Sequence, residues 1–148
     1  MHNNSTQNKT HARWRVLQAL YQWQLAGHAI KTIEEQFLET QDMRKVDIVY
    51  FQQLLHGIPQ QLNLLNSMIK PFIDREVEQL DPTERAILYI GCYELYFCKD
   101  IPWRVVLNES IELAKKFGAD KSHKYINGIL DRVAHGVLEH KSTPKIGD

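Results

Sequence analysis

The sequence predicts an all-α domain, and three observations predict it. Apolar residues recur at helical spacing along most of the chain. No stretch alternates apolar and polar residues over strand length, so neither a strand nor a hairpin is expected. The breaks between apolar stripes are short and carry glycine, proline or capping residues. About seven helices joined by short loops, with no repeat period, make one compact helical domain.

The first helix carries Trp14, Leu17, Tyr21 and Leu25 on one stripe, with Val16, Leu20 and Trp23 beside it. Thr10 is the expected N-cap and Gly27 the stop. A short second helix is expected from Lys31 to Thr40, with Ile33, Phe37 and Leu38 apolar. A third starts near Lys45 and runs through Val46, Val49, Tyr50, Leu54 and Leu55. His56-Gly57-Ile58-Pro59 should break or re-aim it, because proline removes a backbone donor and crowds the preceding turn. Leu62, Leu65, Met68 and Ile69 form the next stripe, which stops before Pro71.

Asp81-Pro82-Thr83-Glu84 places an N-cap, a proline at the first helical position and a carboxylate at the third. The helix it opens runs to about Phe97, and its near-continuous apolarity marks it as central and buried. Ile101-Pro102 opens a sixth helix, with Trp103, Leu107, Ile111 and Ala114 on one face and Phe117-Gly118 at its end. The last starts near Ser122 and carries Ile126, Ile129, Leu130, Val133 and Val137. The domain is therefore expected over residues 10–138, as sub-bundles of about 10–80 and 81–138. A disordered polar tail at 1–9 and a C-terminal tail at 139–148 flank it.

At 148 residues the chain is long enough to bury roughly 70% of its unfolded surface in one core. No apolar run approaches the roughly 20 residues of a membrane span, and the polar N-terminus lacks the apolar region of a secretory signal. A cytoplasmic protein is expected. Cys92 and Cys98, six apart in an apolar stretch, read as buried thiols rather than as a disulfide or a metal pair.

Catalytic constellations are sparse. The glycines are scattered singly, so there is no phosphate loop, and no His-Glu-x-x-His or Cys-x-x-Cys spacing occurs. His135 and His140 are five apart, the wrong increment for one helical face. Carboxylate pairs such as Glu34-Glu35 and Glu109/Glu112 fall on helices that read as solvated. Neither an enzyme, a cofactor nor a metal site is expected.

Charge is more informative. The net charge is zero, yet residues 1–33 hold Lys9, Arg13, Arg15 and Lys31 with no acid, while residues 34–100 hold twelve acidic residues against six basic. Such asymmetry presents different faces to different partners. Single-stranded RNA is held by cations on its phosphates and aromatic rings against its bases, with amides reading base edges. Lys9, His11, Arg13, Arg15, Gln18 and Tyr21 supply all three, with 9, 13 and 21 roughly along one side of a helix. The competing reading makes Tyr21 core and the cations a solvated end. A second basic patch, Lys115, Lys116, Lys121, His123 and Lys124 beside Tyr125, falls at a helix start, where free N–H groups favour phosphate. Ser122 capping that end is the competing reading there.

Ala12-Arg13, Gln18-Ala19-Leu20-Tyr21-Gln22-Trp23, Val46-Asp47, Tyr50-Phe51 and Lys70-Pro71-Phe72 carry a resemblance to the NusB family of bacterial transcription antitermination factors. It is most specific in Asn108-Glu109-Ser110-Ile111-Glu112-Leu113-Ala114-Lys115-Lys116-Phe117-Gly118 and in Ser122-His123-Lys124-Tyr125-Ile126-Asn127-Gly128. The resemblance covers roughly residues 9–137. It implies two three-helix sub-bundles behind an N-terminal helix and no catalytic activity. It implies pairing with NusE, a ribosomal small-subunit protein, and binding of boxA RNA. It further implies assembly with other Nus factors on RNA polymerase, notably in ribosomal RNA operons. The matching RNA positions are Lys9, Arg13, Gln18, Tyr21, Lys124 and Tyr125. Phe72, Glu78 and Glu84 are the implied NusE side, their acidity suiting a basic partner. Alone, such a chain is expected as a monomer or weak homodimer.

The chain departs from that pattern in ways that matter. Thr10 and His11 stand where the family commonly has arginine, Trp14 replaces a glutamate, and Lys121 falls where an acid is familiar. Fewer cations should flatten the salt dependence of RNA binding, and part of the cationic surface should shift from the first helix to the last. The alternative reading is the RNA-recognition module of an rRNA cytosine methyltransferase. Such enzymes continue into a Rossmann-like domain with a glycine-rich loop and catalytic cysteines, and this chain ends at Asp148 with neither.

Overall fold

Seven α-helices account for nearly all of residues 4–142, the part of the chain that a computed structural model describes, with side chains through Glu139. They are α1 (Asn4–Ala26), α2 (Ile30–Thr40), α3 (Ile48–Gln60), α4 (Leu62–Ile69), α5 (Pro82–Phe97), α6 (Trp103–Phe117) and α7 (Ser122–Ser142). Short 3-10 turns at Lys70–Phe72 and Val77–Gln79 link α4 to α5, and no strand occurs among the described residues. The outermost parts of the two expected tails, residues 1–3 and 143–148, lie outside the described residues.

α5 is the hub. Asp81 caps it as the sequence predicts, its carboxylate accepting from the N–H groups of Thr83 and Glu84 at 3.0 and 3.1 Å. Every residue from Ala86 to Leu95 is buried, and α5 packs on α1, α3, α4, α6 and α7. α1 runs antiparallel to it: Arg13 meets Glu94 and the Gln24 amide donates to the Pro82 carbonyl at 3.0 Å. α7 runs parallel to it, because Ser122 meets Glu84 and Leu130 meets Gly91. A Cβ at Gly91 would lie 2.7 Å from Leu130 Cδ1, so glycine is what lets these helices approach. α1 packs heavily on both α3 and α5 and so joins the segments before and after Asp81.

Several helix boundaries differ from expectation, among them the start of α3, which Asp47 caps at Ile48 rather than near Lys45. α1 begins at Asn4, so Thr10 is not its N-cap and residues 4–9 are helical rather than a tail. Tertiary contacts hold this extension. The Asp47 N–H donates to the Asn8 carbonyl at 3.1 Å, and the Thr10 hydroxyl lies 2.9 Å from Glu109 Oε1. α3 continues through Pro59 to Gln60. Proline in a last turn removes one hydrogen bond only, and the helix instead ends at Gln61, whose N–H donates back to Gly57 and Ile58. α7 extends to Ser142, past the expected tail boundary at 139. Both cysteines are buried and unpaired, and burial pushes the Cys98 thiol up to about 11.

Candidate nucleic-acid interface

At about 100° per residue, α1 separates its polar side chains into two groups. Lys9 and Arg13 point between α3, α5 and α6. The half-buried Lys9 ammonium stands 5.1 Å from the centre of the Tyr50 ring. Arg13 is 3% exposed: its Nε donates to Glu94 at 2.7 Å and its Nη1 to Glu109 at 3.1 Å, while Tyr50 donates its hydroxyl proton to Glu94. Burial is the largest single influence and opposes the charge on Arg13, but Glu94, Tyr50 and Glu109 together outweigh it and hold the guanidinium above its ordinary pKa. Burial raises Glu94 despite the nearby guanidinium, and raises Tyr50. Arg13, expected at a phosphate, places its Nε and Nη1 in a buried network that fastens α1 to α5 and α6.

The opposite side of α1 is built differently. His11, Trp14, Arg15, Gln18 and Tyr21 recur there at three- and four-residue steps. Tyr21 is 41% exposed, which sets aside its reading as core. Arg15 donates to the side-chain oxygens of Gln18 and Gln41 and to the Asp42 carbonyl at 2.9, 3.2 and 3.3 Å. None of these acceptors is a carboxylate. The nearest acid, Asp42, is itself gripped by Arg44 at 2.9 and 2.8 Å, which holds its carboxyl far below the usual range. Arg15 thus makes no direct ion pair among the described residues, though it attracts the Asp42 carboxylate, and the face carries a ring, amides and a cation together.

The second basic segment reaches this face through one residue. Lys116, at the end of α6, sets its ammonium 4.3 Å from the Trp14 ring centre, while Lys115 pairs with Glu112 at 3.8 Å. Lys121 is exposed and takes a left-handed backbone with φ 67°; Lys124 is exposed, and Tyr125 is 39% exposed. Burial raises the Tyr125 hydroxyl against the pull of nearby Arg75, and Glu84 and Asp74 add to the rise. Ser122 does not cap its own helix as its competing reading had it; its hydroxyl donates to Glu84 at 2.5 Å, tying α7 to α5. Glu84 is accordingly half-buried and engaged. Glu78 is exposed, and Phe72 lines an apolar groove with Met68, Tyr96 and Val137.

The α2–α3 loop is the contribution that sequence reasoning missed. α2 carries the chain back along α1 for 11 residues, about 16 Å at 1.5 Å each, and so delivers Gln41, Asp42, Arg44 and Lys45 beside His11 and Arg15. The Arg44-Lys45 pair is visible in the sequence; its neighbour is not. No cluster of His, Cys, Asp or Glu fit to hold a metal occurs among the described residues, nor any helix long and apolar enough to cross a membrane.

A model of the NusB family matches residues 10–135, most of the chain. The chain belongs to the NusB family. The transcription antitermination protein NusB of Alcanivorax borkumensis is 53% identical over 135 residues, covering 90% of each chain. That of Nitrosococcus oceani is 51% identical over 129 residues, covering 87% of this chain and 86% of its own. Among solved structures, T. maritima NusB is similar at 29% identity, with a TM-score of 0.74 over 88% of this chain and 96% of that one. A crystal structure of antitermination factors NusB and NusE in complex with double-stranded RNA matches in fold, with a TM-score of 0.79 at 24% identity over 87% and 97%. These relatives are named for transcription antitermination rather than for catalysis.

Proposed function

We propose that this NusB-family protein is an RNA-binding adaptor of transcription antitermination. It pairs with the ribosomal protein NusE, takes up boxA RNA, and joins other Nus factors on RNA polymerase to promote transcription of ribosomal RNA operons in the cytoplasm. The observation that carries the reading is the outer face of α1, where exposed Tyr21 stands beside Gln18 and the carboxylate-free cation Arg15. Aromatic surface, base-reading amide and phosphate-binding charge are the three elements a single-stranded RNA site requires. Lys121, Lys124 and Tyr125 form its second edge, and His11 and Lys9 flank it. Arg13 serves it indirectly, by fixing α1. The NusE side is assigned to Phe72 and Glu78, with Glu84 contributing what Ser122 leaves free. Alone, the protein is a monomer or weak homodimer.

The test is binding of boxA RNA and a scrambled RNA, with and without NusE, across a salt titration. Tyr21→Ala should weaken boxA binding roughly 5- to 150-fold, the worth of one stacked base. Lys121→Ala with Lys124→Ala should lower the salt slope by about 1.4, at about 0.7 per phosphate contact. Equal binding of boxA and scrambled RNA by the NusE complex would sink the reading.

A further inference from the structure

We propose that the cavity between α1 and the α2–α3 loop is a subsite for one unpaired nucleotide, with Trp14 as the surface its base stacks on. The proposal rests on the RNA-binding role argued above and adds a place for a base that Tyr21 does not serve. The cavity, about 260 Å³, is lined by His11, Trp14, Arg15, Asp42, Arg44, Lys45 and Val46. That lies just below the roughly 300–1,000 Å³ of small-molecule pockets, a size for one planar ring system rather than a larger ligand.

The chemistry of the lining selects the ligand. Three permanent cations face one carboxylate, and that carboxylate is held by Arg44 through both oxygens and by the Arg44 backbone N–H at 3.1 Å. The cavity therefore repels a cation and favours an anion. Its apolar surface is an indole and Val46, a flat π-face beside a buried aliphatic. For an RNA-binding chain, the anion that carries a flat aromatic ring is a nucleotide: the base lies on Trp14 and the phosphate meets Lys45 or Arg15.

The indole is also held by its neighbours. Lys116 holds its ammonium 4.3 Å from the ring centre, and His11 meets the ring edge-on, with centres 4.4 Å apart and planes at 72°. Lys116 is not part of the cavity lining, so the cation that steadies the indole leaves the cavity itself to Trp14 and the α2–α3 loop.

Trp14 reports on itself. In the 148-residue chain carrying Trp23→Phe and Trp103→Phe, Trp14 is the one remaining indole. Titration with short single-stranded boxA RNA should quench its emission in step with binding. Trp14→Leu, which keeps an apolar side chain against the core, should cost roughly 5- to 150-fold in affinity, and Trp14→Phe should restore most of it. Lys45→Ala should lower the salt slope by about 0.7. If RNA binds, Tyr21→Ala weakens it, and yet Trp14 emission and the Trp14→Leu affinity stay unchanged, the subsite is wrong while the RNA-binding role stands. If NusE alone quenches Trp14 and RNA does not, the cavity belongs to a protein partner and the proposal is overturned. If wild-type protein binds no RNA with or without NusE, both readings fall together.

Discussion

On the inner side of α1, the guanidinium of Arg13 is closed off from water and bound by two carboxylates from other helices. On the outer side, two residues later, the guanidinium of Arg15 rests on amide and carbonyl oxygens and makes no direct ion pair among the described residues. The same residue type in one run of basic sequence does structural work in one place and recognition in the other. The difference lies in the partners. A buried carboxylate neutralises a cation and fixes the helix that carries it, whereas neutral acceptors orient a cation without discharging it.

The largest test of this contrast is Arg13→Ala. It strands the buried Glu94, whose Oε1 already finds no hydrogen-bond partner among the described residues. Loss of one partner of a buried pair costs about 3–5 kcal/mol, so urea unfolding should show a loss of that order. The loss should depend on pH. Glu94 already titrates above the ordinary carboxylate range because of burial, and removing the guanidinium raises it further. A group whose folded pKa is raised contributes its stability below the unfolded pKa, and that stability is lost as pH rises through the folded value. The variant should therefore fall furthest behind wild type at neutral pH and recover part of the difference as the pH is lowered toward about 4.5. A deficit independent of pH would mean that Glu94 is not the stranded group.

Arg15→Ala should do the reverse. Its side chain is half-buried with neutral partners, so stability should change by about 0.5 kcal/mol or less. The RNA salt slope should fall by about 0.7, the signature of one lost phosphate contact. If Arg15→Ala instead unfolds the protein readily and leaves the salt slope intact, the assignment of the two arginines is inverted.

The residues that defeated sequence reasoning share one property with Arg13: their deciding neighbour is remote. Glu94 lies 81 positions from Arg13, and no local pattern announces that pairing. The early start of α1 depends likewise on Asp47 and Glu109, far along the chain. By contrast, Asp81-Pro82-Thr83-Glu84 fixes the start of α5 within four residues, and the apolar run behind it declares burial without help from any partner. Tyr21 was legible as a candidate from its type and its neighbours, though only the fold shows that it faces out. Trp14 was visible as an oddity, and its cavity became visible only when α2 brought Arg44 and Lys45 beside it.

The smallest effect tests the far edge of the face. Lys121 holds φ at 67°, a conformation that costs a side-chain-bearing residue roughly 1–2 kcal/mol and glycine almost nothing. Glycine returns part of that gain through the greater freedom of its unfolded chain, about 0.5–1 kcal/mol. Lys121→Gly should therefore stabilise the protein by about 0.5 kcal/mol net, read as a small rise in the urea midpoint. The same change removes an exposed cation, so RNA affinity should drop while stability climbs. Lys121→Asn separates the two causes, since asparagine tolerates the left-handed region and carries no charge: it should match glycine in lost affinity and fall short of it in stability. Opposite movement of stability and affinity marks a cation kept for its ligand against the preference of its own backbone. If both rise together, Lys121 lies outside the RNA path, and the second edge reduces to Lys124 and Tyr125.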